Sequence, residues 1–149
     1  MERLPSFELR RAGTLAQALE WLATPGARAI AGGTDLVPNL RDGLAAPPLL
    51  VDVSALPGFD ALEVRTAGAR IGAGVTIARL ARDAGVAAAL PAVAEAAASI
   101  AGPGHRSVAT VGGNLCLDTR CVYYNQSEWW RRSNGYCLKH RGDTCHVAP

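Results

Sequence analysis

Ile30-Ala31-Gly32-Gly33-Thr34-Asp35-Leu36 is the stretch from which the fold can be worked out. An apolar run from Ala27 to Ala31, broken by one arginine, stops at two glycines. Thr34 and Asp35 follow, both good helix N-cap residues, and then the apolar Leu36, Val37 and Leu40. The order is strand, tight turn, helix start. Glycines let a backbone turn sharply and come close to a ligand, and the free N–H groups at a helix start attract an anion. A diphosphate is one reading of this stretch; a plain strand-to-helix turn is the other.

Upstream, Ser6-Phe7-Glu8-Leu9-Arg10 alternates as a short strand does. Thr14 caps a helix carrying Leu15, Ala18, Leu19 and Leu22 at helical spacing, and Pro25-Gly26 ends it. Downstream, Pro38 is tolerable in the first turn of a helix. Leu49-Leu50-Val51-Asp52-Val53 is a continuous run of strand length, as expected of a strand covered on both faces. The first part therefore reads β-α-β-α-β, with crossovers long enough for parallel pairing.

The second part reads as α+β. Leu62-Glu63-Val64-Arg65 and Ala69-Arg70-Ile71-Gly72-Ala73 predict a hairpin turning at Ala67-Gly68. Thr76 caps a helix from Ile77 to Ala84, closed by Gly85. The alanine-rich stretch from Leu90 to Ile100 predicts a further helix ending at Gly102-Pro103-Gly104. Ser107-Val108-Ala109-Thr110-Val111-Gly112-Gly113-Asn114-Leu115 repeats the logic of the opening stretch: an apolar approach, a threonine, two glycines and a short polar side chain. Two such turns facing each other would each offer N–H groups and a hydroxyl to one elongated, phosphate-bearing ligand; two unrelated turns are the alternative.

Composition sets bounds on function. The 149 residues suit one domain built as small lobes, and 49% hydrophobic content against 19% charged supports a real core. A net charge of +2 gives no reason to expect nucleic acid as the partner. No apolar run reaches the roughly 18 residues of a membrane span, and the first residues lack the order of a signal peptide. A cytoplasmic location is expected. All four cysteines (Cys116, Cys121, Cys137, Cys145) follow position 115, as do all three tyrosines and two of the three tryptophans. Clustered cysteines in a cytosolic chain point to metal or redox chemistry rather than to a disulfide framework.

Three stretches taken together, Ala31-Gly32-Gly33-Thr34-Asp35-Leu36, Ile71-Gly72-Ala73-Gly74-Val75-Thr76 and Ala109-Thr110-Val111-Gly112-Gly113-Asn114, resemble successive signatures of one domain. It is the FAD-binding domain of the molybdenum hydroxylase flavoproteins, seen in xanthine dehydrogenase and in the medium subunit of carbon monoxide dehydrogenase. The resemblance implies an α+β, two-lobed fold with a mixed-sheet second lobe and FAD in the cleft. It places the first FAD loop at Ala29, Ile30, Ala31, Gly32, Gly33, Thr34, Asp35 and Leu36. The second falls on Thr110, Val111, Gly112, Gly113 and Asn114, and Ile100 matches another flavin-contacting position; a core aliphatic is the alternative for Ile100.

The tail narrows the resemblance. Cys121-Val122-Tyr123-Tyr124-Asn125-Gln126-Ser127-Glu128-Trp129-Trp130-Arg131, Gly135-Tyr136-Cys137-Leu138-Lys139 and Gly142-Asp143-Thr144-Cys145-His146-Val147 resemble an insertion in the flavin subunit of 4-hydroxybenzoyl-CoA reductase. There the inserted loop carries a [4Fe–4S] cluster, which would use Cys121, Cys137 and Cys145 here. Tyr123, Tyr124, Trp129, Trp130 and Tyr136 could form an apolar shell around it. Free thiols, or a zinc site of the three cysteines with His146, stay open. The family's fourth cysteine lies beyond the position matching Cys145, so a truncated form is expected, with Cys116 as a substitute ligand in one reading. The implied division is a first FAD lobe at 1–56, an incomplete second lobe at 57–115 and an incomplete iron–sulfur insertion at 116–149.

The implied function is oxidoreductase electron transfer. Electrons would pass from a ferredoxin-type donor through the cluster to FAD, then to a [2Fe–2S] small subunit and a large subunit holding the molybdenum cofactor. The substrate would be 4-hydroxybenzoyl-CoA, reduced to benzoyl-CoA, with no catalytic residue in this chain. A xanthine, carbon monoxide or aldehyde dehydrogenase subunit and a zinc-holding interaction module are the alternatives.

Overall fold

The computed structural model describes residues 4–66 and 68–148. The expected hairpin turn at Ala67 lies outside the described residues. Two compact units are present, Met1–Leu117 and Asp118–Pro149.

The first unit begins with the expected alternation of strand and helix: β1 (Glu8–Arg11), α1 (Leu15–Leu22), β2 (Arg28–Ile30), α2 (Leu36–Arg41) and β3 (Leu49–Asp52). The three strands form one parallel sheet in the order β1-β3-β2, with Leu9 opposite Leu50 and Ala29 opposite Val51. β3 is central, and all four of its residues are buried. Its lack of alternation follows from that position, since a strand covered on both faces has no solvent side to make polar. Leu49 and Val51 pack with Ala12, Ala18 and Leu56 in a first core. Thr14 caps α1 by accepting the Gln17 N–H at 3.2 Å.

β4 (Leu62–Arg65) and β5 (Gly68–Ile71) then pair antiparallel, with Leu62 opposite Ile71. Of the mixed sheet expected for the second part, the described residues supply this antiparallel pair. Five short helices follow: α3 (Ile77–Arg82), α4 (Ala84–Ala89), α5 (Pro91–Ser99), α6 (Pro103–Arg106) and α7 (Val111–Leu115). Val75, Ile77, Leu80, Val86, Ala94 and Ala97 make the second core.

Two boundaries differ from the sequence reading. The single helix expected from Ile77 to Ala84 is broken at Asp83, which is extended; its carboxylate accepts the Val86 N–H at 2.9 Å and caps α4. An aspartate competes with the helix for main-chain donors, so it starts the next helix instead of continuing the last. Gly85, read as a terminator, lies inside α4. Likewise Pro103, read as part of a stop, sits at the first position of α6, where its missing N–H costs nothing.

The second unit holds α8 (Glu128–Ser133), capped by Ser127, whose hydroxyl accepts the Trp130 N–H at 3.2 Å. No helix among the described residues is long and apolar enough to cross a membrane.

Candidate functional site

The second glycine pair is fixed by the segment before α3. Thr110 bridges Thr76 antiparallel. The Ile77 N–H donates to Ala109 O at 2.9 Å, Val111 N–H to Val75 O at 2.9 Å and Gly112 N–H to Ala73 O at 2.8 Å. A Cβ on Gly112 would lie 2.8 Å from the Ala73 Cβ, so a side chain there would force the seam apart. The same segment is sewn to residues 59–61 on its other side: Gly72 N–H donates to Ala61 O at 2.7 Å and Gly74 N–H to Phe59 O at 2.6 Å. The Ile71–Thr76 signature is therefore a structural seam that holds the glycine turn, a role its alternating glycines at 72 and 74 could have signalled.

The pair is not a second copy of the first turn. Thr110 caps α7, and Gly112 and Gly113 lie within that helix. The Thr110 hydroxyl, nearly buried, accepts the Gly113 N–H at 3.1 Å, and Asn114 N–H donates to Thr110 O at 2.9 Å. The main-chain donors of Val111, Gly112, Gly113 and Asn114 are thus all spent. The expectation that this turn offers N–H groups to a ligand needs correction, because capping and the seam consume them. What it exposes instead is the side-chain amide of Asn114.

The first turn differs in the way a ligand site requires. Among the described residues, the N–H groups of Gly32, Gly33 and Thr34 find no main-chain acceptor. Gly33 has φ +68, a left-handed conformation that suits glycine. Asp35 occupies the N-cap position of α2, but its side chain makes no cap and accepts from Asn39 Nδ2 at 3.1 Å instead. Thr34 and Asp35 therefore do not close off the helix start as expected.

The two turns meet. A Cβ built on Gly32 would lie 2.0 Å from Val108 O and 2.6 Å from Val108 C, two residues before Thr110. The backbones are in contact at that point, and glycine is what permits it. This sets the first glycine turn against the segment that leads into Thr110 and α7. Ala29 is exposed in the middle of β2, while Ile30, Ala31 and Leu36 are half-buried around the turn. Ile100 lies elsewhere, on an apolar groove of about 200 Å³ with Ile71, Ile77, Leu80, Val111 and Leu115. Asn114 also lines that groove, so groove and turn are continuous.

The tail assembles differently from the expectation. Among the described residues no three His, Cys, Asp or Glu side chains are grouped so as to hold a metal ion. Cys121, Cys137 and Cys145 are consequently not gathered as one ligand set, for a cluster or for zinc with His146. All are free thiols; Cys121 and Cys137 are half-buried, Cys145 and Cys116 exposed. The aromatic residues pack against cations rather than around thiols. The Tyr124 ring meets the Arg120 guanidinium at 4.7 Å, the Lys139 ammonium at 5.3 Å and the Arg131 guanidinium at 5.4 Å. Tyr136 donates its hydroxyl to Glu128 at 2.9 Å, and Tyr123 stacks on His146 with centroids 5.3 Å apart. Trp129, expected in the shell, is 76% exposed. One thiol is electrostatically special. Ala148 N–H donates to the Cys145 sulfur at 3.3 Å, and the main-chain N–H groups of Ala148 and then Val147 hold its pKa below the ordinary thiol value.

The chain is similar in sequence and fold to known proteins. The family model described as the FAD binding domain in molybdopterin dehydrogenase matches residues 5–128. The xanthine dehydrogenase FAD-binding subunit of Escherichia coli O157:H7 is 41% identical over 108 residues, covering 71% of this chain and 37% of that protein. The 6-hydroxypseudooxynicotine dehydrogenase complex subunit alpha of Paenarthrobacter nicotinovorans is 39% identical over 113 residues, 74% of this chain and 38% of that one. In structure, the chain resembles CO dehydrogenase from Oligotropha carboxidovorans with a TM-score of 0.71 at 33% identity, over 75% of this chain and 40% of the other. The chain thus spans less than half the length of the relatives it matches.

Proposed function

The chain belongs to the family of FAD binding domains in molybdopterin dehydrogenases, and from that premise we propose that it holds FAD as part of the flavin subunit of a molybdenum-containing dehydrogenase. The observation that supports the proposal is the contact of the Gly32 turn with Val108, which brings a turn whose N–H groups at 32–34 have no main-chain acceptor among the described residues against the segment leading into α7. Main-chain donors at 32–34 suit the oxygens of a diphosphate. The exposed Asn114 amide would supply a further polar contact from the other turn. The apolar groove beside Asn114 offers a surface for a flat ring.

FAD supplies the redox chemistry when bound, accepting and passing electrons one or two at a time. The chain's own residues bind and orient it. No acid or base from this chain is assigned to the reaction. The proposed partners are a large subunit with the molybdenum cofactor and a small [2Fe–2S] subunit, which fits the naming of the relatives as FAD-binding or complex subunits. The likeness to FAD-binding subunits over 71 to 81% of this chain supports a substrate class of the xanthine, aldehyde or carbon monoxide kind.

A second reading is favoured by the tail sequence. It is a reductase of the 4-hydroxybenzoyl-CoA type, fed by a ferredoxin-type donor through a [4Fe–4S] cluster on Cys121, Cys137 and Cys145. The cysteines are not gathered for it, so no electron step is assigned to a cluster. Anaerobic purification with flavin and iron analysis separates the readings. One FAD per chain without iron supports the dehydrogenase reading. About four irons per chain, lost in Cys137→Ser with FAD retained, supports the reductase. Absence of flavin from protein reconstituted with excess FAD refutes both.

A further inference from the structure

We infer that Arg106 is a positioning residue that locks the Ile100 wall of the groove to the second glycine turn, so that a flavin would meet a fixed surface. The ligand in this inference rests on the FAD reading above; the clamp rests on geometry alone.

After α5 the chain leaves through Ile100, which is extended, and Ala101, which has φ +44. Residues with a Cβ rarely adopt that left-handed conformation, and it persists only where the surroundings enforce it. Arg106, the last residue of α6, reaches back to this point. Its Nη1 donates to Ile100 O at 2.8 Å and to Ala101 O at 2.5 Å. A single cationic nitrogen therefore gathers two successive carbonyls. Hydrogen bonds from a charged donor are stronger than neutral ones, so the pair can hold a turn that alanine would otherwise avoid.

Arg106 is half-buried, and among the described residues it takes part in no ion pair. Its charge is directed to those carbonyls. The segment beyond is tied in turn: His105 O accepts the Val108 N–H at 3.1 Å and the Ala109 N–H at 2.8 Å, and Ala109 O accepts the Ile77 N–H. One residue later Thr110 caps α7. Val108 is the residue against which Gly32 packs. Arg106 thus stands where the groove wall, the seam and both turns join. Without it, Ala101 can relax out of the left-handed region and carry Ile100 away from Val111 and Asn114.

The test compares Arg106→Ala, Arg106→Lys and the double variant Ala101→Gly with Arg106→Ala. Two readouts serve: FAD titration, and amide hydrogen exchange at Val108, Ala109 and Val111 without FAD. Arg106→Ala is expected to weaken FAD about tenfold, or about 1.4 kcal/mol, and to speed exchange at those amides about tenfold. Adding Ala101→Gly is expected to restore most of both, because glycine accepts φ +44 without strain. Arg106→Lys keeps a charged donor and is expected to fall between, and it carries the comparison where the alanine variant does not fold. Wild-type affinity and exchange in Arg106→Ala, or a double variant no better than the single one, would overturn the clamp. A wild-type chain that takes up no FAD defeats the FAD reading, and exchange then decides the clamp by itself.

Discussion

Replacing Gly32 by alanine adds one methyl group at the place where the two turns touch. The new Cβ would sit 2.0 Å from Val108 O, and ordinary contact begins near 3.4 Å, so the two backbones must separate by about 1.4 Å. The obstacle is main chain and cannot swing aside as a side chain would. Val108 is also tethered, its own N–H and that of Ala109 both bonded to His105 O. Overpacking of a closed contact costs roughly 1–3 kcal/mol, and a displaced hydrogen bond about 1 more. We expect Gly32→Ala to destabilise the chain by about 3 kcal/mol, a fall in Tm on the order of 10 °C for a unit of this size. FAD should be retained poorly even where the fold survives, because the turn at 32–34 moves away from the segment leading into Thr110. Gly104→Ala is the control: a Cβ there meets nothing within 4 Å, so stability should hold or rise slightly. The assay is urea denaturation of both variants beside the parent, followed by FAD titration. A Gly32→Ala protein within about 0.5 kcal/mol of the parent, with unchanged FAD affinity, would refute the idea that this contact builds the site.

Other perturbations follow from single interactions. Thr110→Val keeps the branched shape but removes the cap on Gly113 N–H, and should cost about 1 kcal/mol in thermal or chemical denaturation. Burial pushes the Asp52 carboxyl up, but the Ser54 side-chain and main-chain hydrogen bonds and Arg11 together outweigh it and leave it below the usual carboxylate range. A carboxyl lowered on folding adds stability that is complete above its unfolded pKa of about 3.9 and lost as pH falls through the lower folded value. Stability should therefore drop in that acid window, and Asp52→Asn should flatten the drop while lowering stability at neutral pH. Cys145, its thiolate stabilised by two main-chain N–H groups, should react with iodoacetamide faster than Cys121 or Cys137, as peptide mass spectrometry of briefly labelled protein would show.

Much of the first unit was legible in the sequence because its signals were periodic or categorical. The unbroken Leu49–Val53 run announced a central parallel strand, and Thr14 and Thr76 announced helix starts that the structure caps with their hydroxyls. Facing turns and unrelated turns both stay open in the sequence; the structure sets Gly32 against Val108, ahead of the second pair. Whether a turn's N–H groups are free depends on what packs beside it, and Ala73 and Val75 take the donors of α7 from a segment some 35 residues earlier. The helix expected from Ile77 to Ala84 breaks because the Asp83 carboxylate bonds the main chain three residues on, a choice that helical spacing does not reveal. In the tail, residue types were readable but their partners were not. Arg120, Arg131 and Lys139 are spread over 20 positions, and only the folded chain shows that they share the ring of Tyr124.

The most direct test of the paired turns is a fluorescence titration of the intact chain with FAD and with riboflavin, each repeated in the presence of ADP. A site built on the donors at 32–34 with Asn114 recognises the diphosphate, so FAD should bind, ADP should displace it, and riboflavin should bind far more weakly. Equal binding of riboflavin and FAD, or FAD binding that ADP leaves untouched, would contradict it.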